Sequence, residues 1–181
     1  MFITQNYFNE NLAYYGNIET KIFSISCKKG EDKVIEELLG EKLYNDLLSK
    51  IETQTLSNDE IDLVNKLKPV SLYATAIEAL PMINYKITNK GIQVEKGDFT
   101  DSGDSKMFSL ILQGFKSDME YYKKRVFNFL NENASKYSLY KFGLSNDINP
   151  DNNSTYDMGI LMYNDNDTKY PYYSGYNKWF I

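Results

Sequence analysis

The sequence predicts a mainly α-helical protein: a compact helical bundle with one long C-terminal helix, an inserted hairpin or long loop, and an irregular aromatic-rich C-terminal tail. Three observations predict it. Apolar residues recur at spacings of three and four through most of residues 31–136. Breakers cluster in one interruption, between Ile87 and Ser105. After residue 136 the periodicity fades while tyrosine, asparagine and aspartate accumulate. With 181 residues, 42% hydrophobic and 25% charged, the chain has the size and balance of one globular domain.

The first element is a short helix from about Gln5 to Tyr14, with Phe8, Leu12 and Tyr15 spaced for one face. After Gly16-Asn17, the run Lys21 to Cys27 alternates. It puts Phe23, Ile25 and Cys27 on one face of a short strand that Lys28-Lys29-Gly30 closes. From Glu31 the period becomes helical. Val34, Ile35, Leu38, Leu39, Leu43, Leu47, Leu48 and Ile51 form a stripe about 100° wide. Gly40 falls inside this run and marks a break or a close helix contact. Ser57-Asn58-Asp59-Glu60 fits a capping box.

Pro69 is expected to end the helix that the box starts and to open the next. From Val70 to Tyr85 the chain is apolar nearly all round, the mark of a central buried helix, with Pro81 expected to kink it. Asn89-Lys90-Gly91 is a turn signal, and Ile92 and Val94 flank Gln93 in a brief alternation. A helix from about Ser105 to Asn133 would span roughly 43 Å and outrun a small bundle. The expected core is Leu39, Leu43, Leu47, Ile77, Leu80, Ile111, Phe115 and Tyr122.

Composition excludes much chemistry. There is no histidine, which removes the commonest general base, the Ser-His and Cys-His nucleophile pairs and the commonest metal ligand. One cysteine, Cys27, allows no internal disulfide, redox pair or thiolate zinc site and reads as a small buried hydrophobe. Arg125 is the only arginine and the net charge is −5, a poor match to sequence-specific nucleic-acid binding. No uninterrupted apolar run reaches membrane-spanning length, and the N-terminus lacks the pattern of a signal peptide. The expected location is a cytoplasm, or a particle assembled there.

Each cluster with chemical potential has a plainer reading. Asp147, Asn149 and Asp151 have the opening spacing of a calcium loop, but Asn152 stands where glycine is needed and Met158 where the bidentate glutamate belongs. Asn164 to Asp167 fails in the same way, and both read as polar turns. Asp98, Asp101 and Asp104 lack an element to aim them. Glu36, Glu37 and Glu41 lack the histidines of a di-metal bundle and read as a solvated face. Lys123-Lys124-Arg125 spreads round most of a helical turn, so it is not one patch. No phosphate-binding glycine loop exists. No catalytic, cofactor-binding or metal residue is therefore assigned, and no enzyme activity is expected.

The expected interface residues lie in the long loop and the tail. They are Lys90, Ile92, Val94 and Phe99, then Tyr170, Tyr172, Tyr173, Tyr176, Trp179, Phe180 and Ile181. Residues 137–181 hold eight of the sixteen tyrosines and the only tryptophan. Such residues bury a large area and keep a polar handle, which suits an extended strap lying along other subunits.

Leu38-Leu39-Gly40-Glu41-Lys42-Leu43-Tyr44-Asn45-Asp46-Leu47-Leu48, the segment Ala76 to Ile92, and a long helix with Tyr122 and Arg125 carry a resemblance. Over about residues 30–136 the chain resembles small α-helical virion proteins of tailed bacteriophages of gut Bacteroides-type bacteria, including crAss-like phages. These are head–tail connector, or adaptor, ring proteins. The resemblance implies a helical connector-like domain over 1–136, N-terminal extension included, and leaves 137–181 as an extended Tyr/Asn-rich C-terminal arm. It implies a non-enzymatic homo-oligomeric ring in the virion, usually of twelve copies. The ring would lie beneath the portal and touch the portal protein and neighbouring tail or ring proteins. DNA would be passing cargo in the channel, and no membrane or cofactor would be involved. The alternatives are a helical regulatory adaptor acting as monomer or dimer, and a carboxylate-dependent hydrolase.

Overall fold

A computed structural model describes residues 1–12, 18–88, 91–94, 105–141, 143 and 148–150, with the backbone alone at 84–88, 91–94, 105 and 106. Among them the fold is mainly helical: α1 (Gln5–Asn11), α2 (Thr20–Gly30), a π-helical turn (Glu31–Ile35), α3 (Glu36–Leu39), α4 (Glu41–Thr53), α5 (Asn58–Asn84) and α6 (Ser105–Glu132). Between α5 and α6 lies an antiparallel hairpin, β1 (Tyr85–Thr88) with β2 (Gly91–Val94), in which Tyr85 pairs with Val94 and Thr88 with Gly91. This hairpin lies in the interruption that the sequence placed before the last helix.

The α5 helix is the axis of the fold. Its first half puts Leu63, Val64, Leu67 and Val70 into one apolar cluster with α3, α4, the end of α6, Tyr137 and Tyr140. Its second half puts Leu72, Ala76 and Ala79 into another cluster with Ile3, Phe8, Ile18, Phe23 and Cys27. Packed by both clusters, α5 continues unbroken through Pro69, where the sequence predicted a boundary. A proline inside a helix costs about 3 kcal/mol. The full burial of Leu63, Leu67 and Val70 around it offsets that.

The expected strand over 21–27 is corrected to the helix α2. The chain reads as alternating, but the buried set is Phe23, Ser26, Cys27 and Gly30, spaced three and four apart, and Ile25 is exposed. Ser26 and Gly30 carry no hydrophobic signal, so the helical face was invisible. Gly30 instead marks a close crossing: a Cβ there would lie 2.8 Å from the carbonyl carbon of Ala74.

Other expectations hold. Gly40 separates α3 from α4 with φ +76°, ψ 152°, a conformation essentially restricted to glycine. The capping box forms: the Ser57 amide and hydroxyl each donate to Glu60 Oε2 at 2.8 Å, and the Glu60 amide reaches Ser57 Oγ at 3.4 Å. Glu60 also accepts from Lys50 Nζ at 2.6 Å, tying α4 to α5.

The expected core is partly corrected. Leu39, Leu43 and Leu47 are buried, whereas Ile77, Leu80, Phe115 and Tyr122 are half-buried. Ile111 is 43% exposed, so it is not a core residue. The start of the expected arm is also corrected. Tyr137 and Tyr140 are buried in the first cluster, and the Tyr137 hydroxyl donates to the Asp59 carbonyl at 2.7 Å. Residues 148–150 return to α4, where the Glu41 amide donates to the Ile148 carbonyl at 3.0 Å and Pro150 packs on Gly40. The first compact unit thus extends through Asp151 rather than ending at 136.

Two glycine substitutions separate packing from propensity. Gly30→Ala, forced against the α5 backbone, should lower stability by about 1–3 kcal/mol. Gly114→Ala in α6, where nothing lies within 4 Å of the added Cβ, should raise it by about 1 kcal/mol. Urea denaturation of both variants checks the pair, and equal effects would contradict the close crossing.

Candidate functional site

Three features stand out among the described residues: a polar seam inside the bundle, a groove between α5 and α6, and an open stripe along α6.

The seam lies where α2 crosses α5. Glu31, 2% exposed, opens the π-helical turn. Its Oε1 accepts from the Phe2 amide at 2.7 Å, the Ser71 hydroxyl at 3.0 Å and the Cys27 thiol at 3.3 Å. Its Oε2 lies 4.0 Å from the amino group of Met1. A buried carboxylate needs this much donation to offset its lost hydration. All these donors come from the chain itself, so the node is a clamp that joins the first residues, α2 and α5. The sequence reading missed Glu31. Its one clue was position: an acidic residue one step beyond a glycine, within what proves to be an unbroken helical run.

Burial, and next the Glu31 carboxylate, push the Cys27 thiol up to about 12. Burial, and next a hydrogen bond to Asp32 at 3.0 Å, raise Tyr44 above its ordinary value. Burial, and next the Asp59 charge, push Tyr137 up to about 12. Cys27 is therefore buried, as the sequence predicted, and its raised thiol pKa disfavours the nucleophilic thiolate.

The groove is lined by Asn65, Lys66 and Pro69 of α5 and by Tyr122, Arg125, Phe129 and Glu132 of α6, with a volume of about 400 Å³. Lys66 Nζ sits 4.7 Å from the centre of the Phe129 ring. The Arg125 guanidinium lies 5.7 Å from the Tyr121 ring and 6.0 Å from that of Tyr122. These are cation–π distances, so both cations are held against aromatic faces and remain open to solvent on one side.

The stripe is on the first half of α6. Met107, Leu110 and Ile111 are 57%, 54% and 43% exposed, and Tyr121 is 60% exposed. Phe115, Met119 and Tyr122, on another face of the same helix, pack on the bundle, and Tyr73 stacks on Tyr122 with centroids 5.8 Å apart.

Of the expected interface residues, Ile92 and Val94 fall on β2 as backbone. Lys90 and Phe99, and Tyr170, Tyr172, Tyr173, Tyr176, Trp179, Phe180 and Ile181, lie outside the described residues, as do Asp98, Asp101, Asp104, Asp147 and Asp151. Asn149 uses its side-chain oxygen to accept from the Gly143 amide at 2.7 Å, which is turn chemistry. The basic triplet is dispersed: Lys123 reaches Glu37 at 3.4 Å while Arg125 faces the groove. Among the described residues no three acidic or cysteine side chains gather as a metal site, and no helix is long and apolar enough to cross a membrane.

Residues 35–150 match a family of unknown function, DUF6712. The chain belongs to that family. The match begins at the end of the π-helical turn and ends at Pro150, the residue that packs on Gly40. The family's extent is thus one closed circuit of the bundle, with α1 and α2 added in front. No curated protein and no solved structure matches the chain.

The raised thiol and phenols favour their protonated forms in the folded chain. Their stabilisation is complete below the unfolded-state values, about 9 for the thiol and 10 for the phenols, and is lost as pH rises toward the folded ones. Thermal midpoints should therefore hold up to about pH 9 and fall above it. In the native protein at about pH 8, Cys27 should resist a thiol reagent that modifies it rapidly in denaturant. Rapid native labelling would show that the seam is open.

Proposed function

We propose that the protein is a structural subunit of a virion. It would form a ring at the head–tail junction beneath the portal, continuing the DNA channel and joining portal to tail. The observation that carries this reading is the two-faced α6, 28 residues and about 42 Å long. One face packs on the bundle, and the other offers apolar side chains to solvent over the first two turns. A helix that is apolar on both sides is stable in water when a second body covers the open side.

The resemblance of residues 30–136 to connector rings supplies the kind of body, further copies of the chain. The same resemblance supplies twelve as the copy number, with the portal above and another ring or tail protein below. A net charge of −5 suits a channel along which DNA slides without adhering. On this reading the protein does no chemistry and holds no cofactor, and its location is the particle.

A helical adaptor binding a host protein is the second reading, and the α5–α6 groove favours it. Two cations on aromatic rings beside a cavity of about 400 Å³ suit an acidic, aromatic segment of a partner.

Native mass spectrometry and negative-stain electron microscopy of the full chain, alone and mixed with portal particles, discriminate between the two. The expected result is a closed ring of a dozen or so copies seated on the portal. A protein that stays monomeric or dimeric in both conditions refutes the ring.

A further inference from the structure

We infer that the open stripe of α6 is one half of a subunit–subunit interface whose other half is the outer face of α2 on a second copy. This rests on the ring reading and names the surfaces that would build the ring.

The stripe is continuous. Met107, Leu110, Ile111, Gly114, Asp118 and Tyr121 follow one another at spacings of three and four, with one short step, and lie on one side of the helix. It is apolar over its first two turns and carries one carboxylate, Asp118, which is exposed and makes no ion pair with a described residue. In its middle, Gly114 has open space where a side chain would stand. A mid-helix glycine costs about 1 kcal/mol against alanine and lets another backbone come close.

The outer face of α2 is its complement. Lys21, Ile25, Lys28 and Lys29 are exposed there, and Thr20–Gly30 contains no acidic residue. Ile25, 40% exposed, is a lone apolar residue among three lysines that make no ion pair with a described residue. An apolar stripe with one carboxylate therefore faces a match: an apolar knob ringed by ammonium groups. The long lysine stems would also cover apolar surface while their charges reach Asp118.

The rival arrangement is two α6 stripes packed on each other about a two-fold axis. Antiparallel pairing centred on Gly114 sets Met107 against Tyr121 and Leu110 against Asp118. It would bury the carboxylate against leucine with no cation beside it, which is costly. Pairing α6 with α2 avoids that. It also joins two different surfaces, and such head-to-tail contacts generate rings when the rotation closes.

Directed cross-linking of the full chain tests this, and buried Cys27 gives little background. A mixture of Ile25→Cys and Ile111→Cys chains should form a disulfide-linked dimer under mild oxidation, and the double variant should form a ladder. Neither single variant should cross-link to itself. Self-cross-linking of Gly114→Cys, at the centre of the two-fold pairing, would establish that pairing and overturn the proposal.

In parallel, Ile111→Asp should reduce the assembled fraction at least about tenfold while leaving the thermal midpoint of the monomer unchanged. Asp118→Lys should also weaken assembly, and adding Lys28→Glu should restore it. If the wild-type chain forms rings that Ile111→Asp leaves intact, the interface is wrong and the ring reading stands. If the wild-type chain never assembles, alone or on portal particles, the ring reading itself fails.

Discussion

Much of this fold depends on the need to cover α5. Its first half buries one apolar face, and from Val70 it is apolar nearly all round, so it is unstable in water until neighbours pack on it. Two different sets of neighbours do so. The first half is enclosed by α3, α4, the end of α6 and the returning tyrosines. The second half is packed by α1, α2 and Phe115 of α6. The change of neighbours falls at the α2 crossing, where Gly30 lies against the backbone of Ala74 and Thr75.

A close crossing brings polar backbone and small polar side chains together, and the seam around Glu31 follows from that. Ser26, Glu31, Ser71 and Thr75 are the four buried polar or charged residues of the described chain, and all of them lie on α2, the π-helical turn or the middle of α5. The π-helical turn inserts its extra backbone length where α2 leaves α5, and it places the Glu31 carboxylate between Cys27, Ser71 and the Phe2 amide. Such turns are frequent at functional sites in proteins. Here the carboxylate is fully engaged by the chain's own donors, so its work is to hold the N-terminal residues onto the bundle.

Covering α5 also explains what is left uncovered. The α6 helix is longer than the surface available to it. Its last turns bury Val126 and Leu130, while in its first two turns Met107, Leu110 and Ile111 stay exposed. A protein of this size encloses one core and little more. Long helices that outrun such a core present their remainder to another molecule, and the proposed ring gives that remainder its place.

The sequence alone determined the helical class, the Gly40 break, the Ser57–Glu60 cap, the interruption after α5 as a hairpin or long loop, and the extent of α6 to within a residue. Each is local: glycine geometry, a hydroxyl and a carboxylate three residues apart, a cluster of breakers, or a long periodic run. Tertiary structure decided the rest. It made α2 a helix, because the contacts that select its face are made by Ser26 and Gly30, which look neutral in sequence. It carried α5 through Pro69, because packing by both clusters outweighs one lost hydrogen bond. It drew Tyr137 and Tyr140 back into the core, and it left Ile111 in solvent although its spacing is that of a core residue. Periodicity reports that a face is apolar. Which body covers that face depends on the three-dimensional arrangement of distant segments, and for the α6 stripe the proposed cover is a second copy of the chain.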